Sequence, residues 1–367
     1  MQRSSSGRFL VPFLQRQAFY QKLQEVRGSK TFALFHSDRI ADAQVTGINC
    51  HISQDHLPVF NQLLRTAGKA ARIDLWLYTR GGDMNVPWPL VNAIRSFAPE
   101  FNVLVPFRAH SAGTLIAMGA NKIIMSPTGE LSPVDPTTAN QFSPRDPNNR
   151  QSILGISVEE VNAFIEMAKT TVGIEGSADL TTVLQILSKD ISPIALGNVH
   201  RTYTQIREVS KKLLSLHMDT TKESARVDEI INKLTQKLYS HLHAINRTEA
   251  KDIGLDVVDA STDEDRLIWS IYEDYAKEVD LDKQFLIRGV LGTKLESELT
   301  LKGGFIETSE CSYAYQTKLK LTQASVLPDK ILEGVMAGRQ KKPTDLVPGL
   351  PVQVEVAPLQ SGWALTS

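Results

Sequence analysis

The stretch FRAHSAGTLIAMGANKIIMSP, residues 107–127, decides the fold. An apolar strand (Val103, Leu104, Val105) stops at His110-Ser111, and the chain turns at once into a short helix of small residues, 112–120. A serine in this position lies at the carboxyl edge of a sheet, beside the N–H groups of a helix's first turn. Two interpretations follow. Ser111 is a nucleophile, or it is an ordinary N-cap, since serine is a preferred capping residue.

Strand and helix patterns alternate around this stretch, from about residue 31 to 135. The predicted strands are TFALFHS (31–37), RIDLWLYT (72–79), FNVLVPFRA (101–109) and KIIMS (122–126), and the predicted helices are HLPVFNQLLRTAG (56–68), VPWPLVNAIRSF (86–97) and SAGTLIAMGA (111–120). Such alternation predicts an α/β fold with a largely parallel sheet. Sites in these sheets form beyond the carboxyl ends of the strands, where two glycine-bearing turns fall, 79–85 and 109–113. We expect these turns to face each other.

The rest of the chain is predicted to be helical at first and then to form a hairpin. Residues 137–152 read as a loop, 157–245 as helices and 303–323 as a hairpin, while the Pro-rich residues after about 338 are expected to be a loose tail. These patterns predict four segments: an N-terminal helical segment (1–30), the sheet domain (31–260), a C-terminal helix and hairpin extension (261–337) and the tail (338–367).

The amino-acid composition limits the classes of function that this protein can have. The 367 residues are 42% hydrophobic and 22% charged, which is ordinary for a globular protein. Forty Lys+Arg against forty-one Asp+Glu give a net charge of −1, which excludes an overall positive field for nucleic acid. Cys50 and Cys311 lie far apart, which favours a reducing compartment. No apolar run reaches the roughly 18 residues of a membrane span. We expect a cytoplasmic protein, with peripheral membrane association left open.

Two adjacent glycines follow the strand that ends near residue 79. Gly81 and Gly82 allow backbone N–H groups to approach a ligand closely, because neither residue has a Cβ. If their turn lies beside Ser111, a glycine N–H and the N–H of Ala112 converge as an oxyanion hole. A glycine pair alone is a weak signal. The ordered set YTRGGD (78–83), HSAGT (110–114) and GELSPVDP (129–136) is much more specific.

On these motifs the chain resembles the Clp-fold serine proteinases, in the serine dehydrogenase proteinase branch related to ClpP and to signal peptide peptidase A. The similar stretches are 75–83, 103–136, 192–214 and 234–258. The resemblance implies a ClpP/crotonase-like spiral of ββα units with a parallel sheet, to which this chain adds a helical extension and a C-terminal β-hairpin. It also implies that Ser111 is the nucleophile, that Gly81 and Gly82 form the oxyanion loop, and that subunits assemble into rings or trimers.

A serine nucleophile requires a base, and the sequence offers several. His110 is disfavoured because adjacent residues leaving a strand point to opposite faces. The ClpP-like relatives draw the base from the segment that here reads LSPVDP (131–136), which contains no histidine. Asp135 in that segment either orients a base or caps the turn. His241 and the alternative His243 lie near where the relatives place the third triad member, and a histidine titrates near neutrality.

Lysine is the alternative base, as in the signal peptide peptidase relatives. Lys169, Lys189 and Lys237 follow Ser111 in helical patterns, although solvated surface lysines are far commoner than catalytic ones. The remaining histidines, His36, His51, His56, His200 and His217, show no metal-site spacing, so we expect no metal and no cofactor.

The leading hypothesis is a serine peptidase, independent of ATP by itself, that cleaves peptides or extended protein chains. One alternative is a non-catalytic Clp-fold scaffold, and a less favoured one is an acyl-CoA enzyme of the crotonase type, against which the serine in HSAGT argues. The helical stretches 192–214 and 223–239 carry more apolar surface than one compact domain readily covers. We therefore expect a homo-oligomer, a trimer or a multiple of it, that encloses the Ser111 sites.

Overall fold

The computed structural model describes residues 11–42, 45, 48, 50–135, 137–219, 221–237, 243–292, 294–325 and 352–366. They form two compact units. The first unit comprises the described parts of Met1–Ala18, Leu34–Cys50 and Ile271–Ser367, and the second unit comprises those of Phe19–Ala33 and His51–Ser270. These units interleave along the chain, whereas the four segments predicted from the sequence are contiguous.

The helices and strands have the following bounds. The helices are α1 (Val11–Arg27), α2 (His56–Ala67), α3 (Pro87–Arg95), α4 (Ala112–Met118), α5 (Val158–Glu166), α6 (Ser177–Asp190), α7 (Pro193–Leu214), α8 (Ser224–Asn232), α9 (Arg247–Ile253), α10 (Thr262–Glu278) and α11 (Ile287–Leu291). The strands are β1 (Lys30–His36), β2 (Arg72–Tyr78), β3 (Glu100–Val105), β4 (Arg108–Ala109), β5 (Lys122–Met125), β6 (Glu130–Leu131), β7 (Thr137–Thr138), β8 (Ile156–Ser157), β9 (Val257–Asp259), β10 (Glu296–Thr308), β11 (Ser312–Ser325) and β12 (Val352–Leu365).

A parallel sheet forms the core of the second unit. Its strands lie in the order β2, β3, β5, β9, and Trp76 of β2 pairs with Leu104 of β3, which in turn pairs with Ile124 of β5. Strands β2 and β3 are buried at every residue but the first. Such burial on both faces explains why these strands read as continuous apolar runs. The prediction of a largely parallel sheet is confirmed.

Short second strands follow the long ones in the same unit. Strand β3 is followed by β4 and then α4, and β5 is followed by β6, which pairs with β4 in parallel. Thr79, just after β2, makes a bridge to Ala109 of β4. This strand–strand–helix repeat is the ββα unit that the resemblance implied. It brings the turns after β2 and β4 to the same edge.

The helical region after residue 157 follows the predicted pattern, with one correction. Helix α7 spans Pro193–Leu214, but its apolar stripe is already covered inside the second unit, since Val199, Ile206 and Leu213 are each 3% exposed or less. In α8, Val227 and Ile230 are likewise buried. The expectation that these two stripes await burial between subunits is therefore wrong for the residues that the structure describes, because neighbouring helices cover them. No helix in the described ranges is long and apolar enough to cross a membrane.

In the first unit, β10, β11 and β12 pair as an antiparallel sheet, which confirms the predicted hairpin. The predicted loose tail needs a correction, because residues 352–365 form β12. Pro358 is accommodated at a register shift of this strand, where the ladder is irregular. Packing also holds the strand, since the ring centroids of Tyr315 and Trp363 are 5.5 Å apart.

A buried ion pair links separated parts of the first unit. The Arg16 guanidinium donates to Glu307 at 2.9 and 2.8 Å and to Asp274 at 2.6 Å. Burial opposes ionisation of Glu307, but the charge and hydrogen bonds of Arg16 hold the pKa of this carboxyl below its ordinary value. Hydroxyl groups of Tyr275 and Ser312 also donate to Glu307. The carboxylate is thus fully paired, as a buried charge requires.

Candidate functional site

Ser111 lies on a strained turn between β4 and α4. Its backbone has φ 53° and ψ −112°, a conformation that a residue other than glycine rarely adopts. The residue stands at the N-cap position of α4, yet its side chain makes no capping hydrogen bond. The Ser111 Oγ lies 4.0 Å from the sulfur of Met84. Of the two roles left open by the sequence, the geometry thus disfavours the N-cap.

Backbone hydrogen bonds hold this turn in shape. The N–H of His110 donates to Thr79 O at 3.0 Å, and the N–H of Gly113 donates to His110 O at 2.7 Å. The Ser111 N–H donates to the side-chain oxygen of Ser132 at 2.8 Å. The strain at Ser111 is therefore balanced by contacts within the turn and from two other segments, the one after β2 and the one after β6.

The glycine turn after β2 packs directly against Ser111, as predicted. Gly81 has φ 106°, and a Cβ at this position would lie 2.7 Å from the Cβ of Ser111. Gly82 has φ 147°, and a Cβ there would lie 2.2 Å from the carbonyl oxygen of Ile52. Both positions require glycine. The Gly81 N–H donates to Thr79 Oγ1 at 3.0 Å, so this N–H is already engaged.

A cleft of about 450 Å³ opens at Ser111 within the second unit. Its walls come from the glycine turn, the segment after β6 and helix α7. The residues that line it are Arg80, Gly82, Asp83, Met84, Asn85, Ser111, Asp135, Thr137, Thr138, Thr202, Gln205 and Ile206. Most of these side chains are polar, and the set includes Ser111, Gly82 and Asp135 from the predicted site. Helix α7 was predicted as an oligomer surface, and its role as a cleft wall was missed.

Asp135 connects the cleft to the start of α5. Its Oδ2 accepts a hydrogen bond from the Ser157 hydroxyl at 3.2 Å, and its Oδ1 accepts one from the Glu159 N–H at 3.3 Å. The sequence left open that Asp135 orients a base or caps the turn before Pro136; these contacts instead place its carboxylate at the start of α5, and both roles stay predictions. Both carboxylate oxygens accept hydrogen bonds at the first turn of α5.

Glu159 is a residue of this region that the sequence interpretation missed. Burial raises the pKa of Glu159 to about 7, and the negative charge of Asp135 acts in the same direction. The available signal was a capping box, Ser157 followed three residues later by Glu160, in which Ser157 Oγ accepts the Glu160 N–H at 3.1 Å. That signal marks where α5 begins, but it says nothing about the proximity of Asp135.

His110 points away from the cleft, toward Glu130. Its Nε2 lies 3.1 Å from the Glu130 Oε1, although the two groups are not aligned for a hydrogen bond. Burial lowers the pKa of His110 to about 4; the Glu130 charge opposes this shift, and those of Arg80 and Arg108 reinforce it. His110 is therefore neutral at pH 7.

Of the other predicted bases, those that the structure describes do not line the cleft. His241 lies outside the described residues, as does the side chain of Lys237. His243 is described, and its Nε2 lies 2.7 Å from the Glu249 Oε1. Lys169 and Lys189 are exposed on their helices. The base thus stays a prediction.

The Glu159 carboxyl gives a pH-dependent stability. Its pKa rises from 4.5 to about 7 on folding, so folding favours its protonated form, and stability is lost as the pH rises from about 4.5 through 7. We expect Glu159→Gln to raise the melting temperature by about 1–3 °C at pH 8 and to leave it nearly unchanged at pH 4.5. Thermal melts at both pH values test this, with the exposed neighbour Glu160→Gln as the control. An equal effect of Glu159→Gln at both pH values would contradict it.

Residues 8–147 match the sequence model of the ClpP-like SDH-type serine proteinase family. This range contains the glycine turn, Ser111 and Asp135. Two uncharacterized proteins of Methanocaldococcus jannaschii are similar to the chain. One is 26% identical over 244 residues, which is 66% of this chain and 73% of the relative. The other is 23% identical over 282 residues, which is 77% of this chain and 84% of the relative.

Similar chains also occur among solved structures. One is a mutant of the 1510-N membrane-bound stomatin-specific protease in complex with a substrate peptide, with 18% identity, a TM-score of 0.34, and coverage of 62% of this chain and 78% of that chain. A second mutant of the same protease has 19% identity, a TM-score of 0.32, and coverage of 57% and 74%. The family match over residues 8–147 confirms what the motifs predicted: in this range the chain matches the ClpP-like SDH-type serine proteinases.

Proposed function

We propose that this protein is a serine peptidase whose nucleophile is the Ser111 hydroxyl. The observation that supports the assignment most is the strained turn, on which Ser111 opens into the cleft without capping α4. A serine that only started a helix would use its side-chain oxygen to accept an N–H of the first turn. The family match over residues 8–147 supports the same reaction class.

The reaction is an acyl transfer to Ser111. The hydroxyl oxygen attacks the carbonyl carbon of a peptide bond while the base takes its proton. The tetrahedral intermediate then loses the amine, which leaves with that proton, and an acyl ester remains on Ser111. Water, activated by the same base, hydrolyses the ester and frees the serine. The cycle consumes no ATP.

The oxyanion hole is best assigned to the N–H groups of Gly82 and Ala112. Those of Gly81 and Ser111 already donate to Thr79 and Ser132. Gly82 lines the cleft, and Ala112 is the first residue of α4, where N–H groups have no partner within the helix. Two such donors stabilise the negative charge that develops on the carbonyl oxygen. Gly81 then serves close packing against Ser111 rather than oxyanion binding.

Peptides and extended protein chains are the proposed substrates, and the proposed compartment is the cytoplasm. An extended chain presents its backbone to a cleft lined mainly by polar side chains, such as Asn85, Thr138 and Gln205. A folded protein does not, because its peptide bonds are engaged in secondary structure. Folded proteins in the same compartment would therefore not be cleaved.

A non-catalytic scaffold is the second candidate. Among the described residues that line the cleft there is neither a histidine nor a lysine, and Asp135 uses both carboxylate oxygens at the start of α5. In that case the cleft at Ser111 would bind a peptide or protein segment without cleaving it. Chemical reactivity of Ser111 separates the two functions.

Ser111→Ala is expected to abolish covalent labelling by a fluorophosphonate probe and any peptidase activity, because the covalent route requires the hydroxyl. Folding is expected to survive, since no cap bond, typically worth about 1 kcal/mol, is lost. Labelling rates and melting temperatures of wild type and variant test this. A wild-type chain that the probe leaves unlabelled would favour the scaffold.

For the base, we expect His241→Ala to lower kcat/KM by about 100-fold or more, the usual contribution of a general base. His110→Ala is expected to stay within a few-fold of wild type, since His110 faces Glu130 and has a pKa of about 4. Peptide hydrolysis by both variants measures the difference. Wild-type rates in both would transfer the assignment to Lys169, Lys189 or Lys237.

We propose a homo-oligomer, a trimer or a multiple of it, on the strength of exposed apolar side chains. The apolar residues Leu184, Ile186 and Ile194 are 48–58% exposed on α6 and at the start of α7. Light scattering coupled to size exclusion is expected to give a mass of at least about three times 40.7 kDa. Leu184→Glu with Ile186→Glu is expected to lower that mass. A wild-type particle near 40.7 kDa in dilute solution would contradict the assembly.

A further inference from the structure

A second serine supports the strained turn at Ser111. Ser132 is 1% exposed and Ser111 is 5% exposed, so their shared hydrogen bond is shielded from water. The Ser111 N–H donates to Ser132 Oγ at 2.8 Å. Water cannot readily replace this acceptor at a buried position, so loss of the bond would leave a polar group unsatisfied.

The Ser132 hydroxyl is oriented by its other contact. It donates its hydrogen to the carbonyl oxygen of Pro133 at 3.0 Å. With the hydrogen directed there, the oxygen lone pairs are available to the Ser111 N–H. Ser132 is thus preorganised as an acceptor, and no rotation of its hydroxyl is needed for the bond to Ser111.

Thr114 also contacts Ser132 and helps to hold it in place. The Ser132 N–H donates to Thr114 Oγ1 at 3.2 Å, and this hydroxyl lies 2.9 Å from the carbonyl oxygens of Ser132 and Ala109. Thr114 is fully buried and lies in α4, three residues after Ser111. The contacts close a ring from Ser111 to Ser132 to Thr114 and back along α4.

We propose that Ser132 is a positioning residue for the Ser111 nucleophile, an inference that rests on the proposed peptidase function. Ser132 holds the Ser111 backbone at positive φ, which keeps Oγ directed into the cleft. It also occupies the Ser111 N–H, so that this donor does not compete with Gly82 and Ala112 for the carbonyl oxygen. Ser132 itself takes part in no covalent step.

The test compares Ser132→Ala with wild type in reaction with a fluorophosphonate probe, measured as the binding constant KI and the maximal inactivation rate kinact. We expect kinact to fall about 10- to 100-fold, the rate equivalent of one lost buried hydrogen bond, with KI nearly unchanged. The control is Ser126→Ala. Ser126 is fully buried, and its Oγ has no hydrogen-bond partner in the part of the chain that the structure describes, so we expect a kinact within about twofold of wild type.

A second variant guards against a folding defect. Ser132→Cys keeps nearly the same shape but offers a weaker acceptor, so an intermediate kinact with a wild-type melting temperature is expected. The inference is overturned if Ser132→Ala retains the wild-type kinact. It is also overturned if the loss of kinact in Ser132→Ala is fully explained by a smaller folded fraction and Ser132→Cys reacts like wild type. An unlabelled wild-type chain instead overturns the proposed function, and this inference with it.

Discussion

No side chain at position 81 is compatible with the observed position of Ser111, because a Cβ there would lie 2.7 Å from the Ser111 Cβ. This close approach sets the geometry of the site. It joins the turn after β2 to the turn after β4. The bridge between Thr79 and Ala109 joins the same two segments just before these turns. The cleft at Ser111 exists because two backbone turns, rather than two side chains, meet at this edge.

The two layers of strands explain why the turns meet. The long parallel strands of the second unit provide the buried core, whereas the short strand β4 leads into α4 and pairs with β6, which follows β5. The segment after β6 then returns to the site, where Ser132 contacts Ser111 and Asp135 reaches the cleft.

Charge is used differently in the two units. In the first unit, Arg16 and Glu307 are buried as a fully paired set, which favours a single arrangement of the strands and helices they connect. Near the cleft, burial and the negative charge of Asp135 raise the pKa of the Glu159 carboxyl to about 7. The first arrangement keeps a carboxyl ionised, and the second keeps Glu159 protonated up to near neutrality.

The sequence by itself determined the alternation of strands and helices, because buried parallel strands must be apolar throughout, and it determined where the turns with Gly81 and Ser111 fall. It did not determine the role of Ser111. A capping serine and a serine on a strained turn differ in backbone angles, and the Ser111 N–H donates to Ser132, which lies 21 residues further along the chain. The approach of Glu159 to Asp135 across 24 residues, the covering of α7 and the pairing of β12 likewise came only from tertiary structure. Local periodicity records which face of an element is apolar, whereas partners distant in the chain decide what covers that face and which hydrogen bonds a side chain makes.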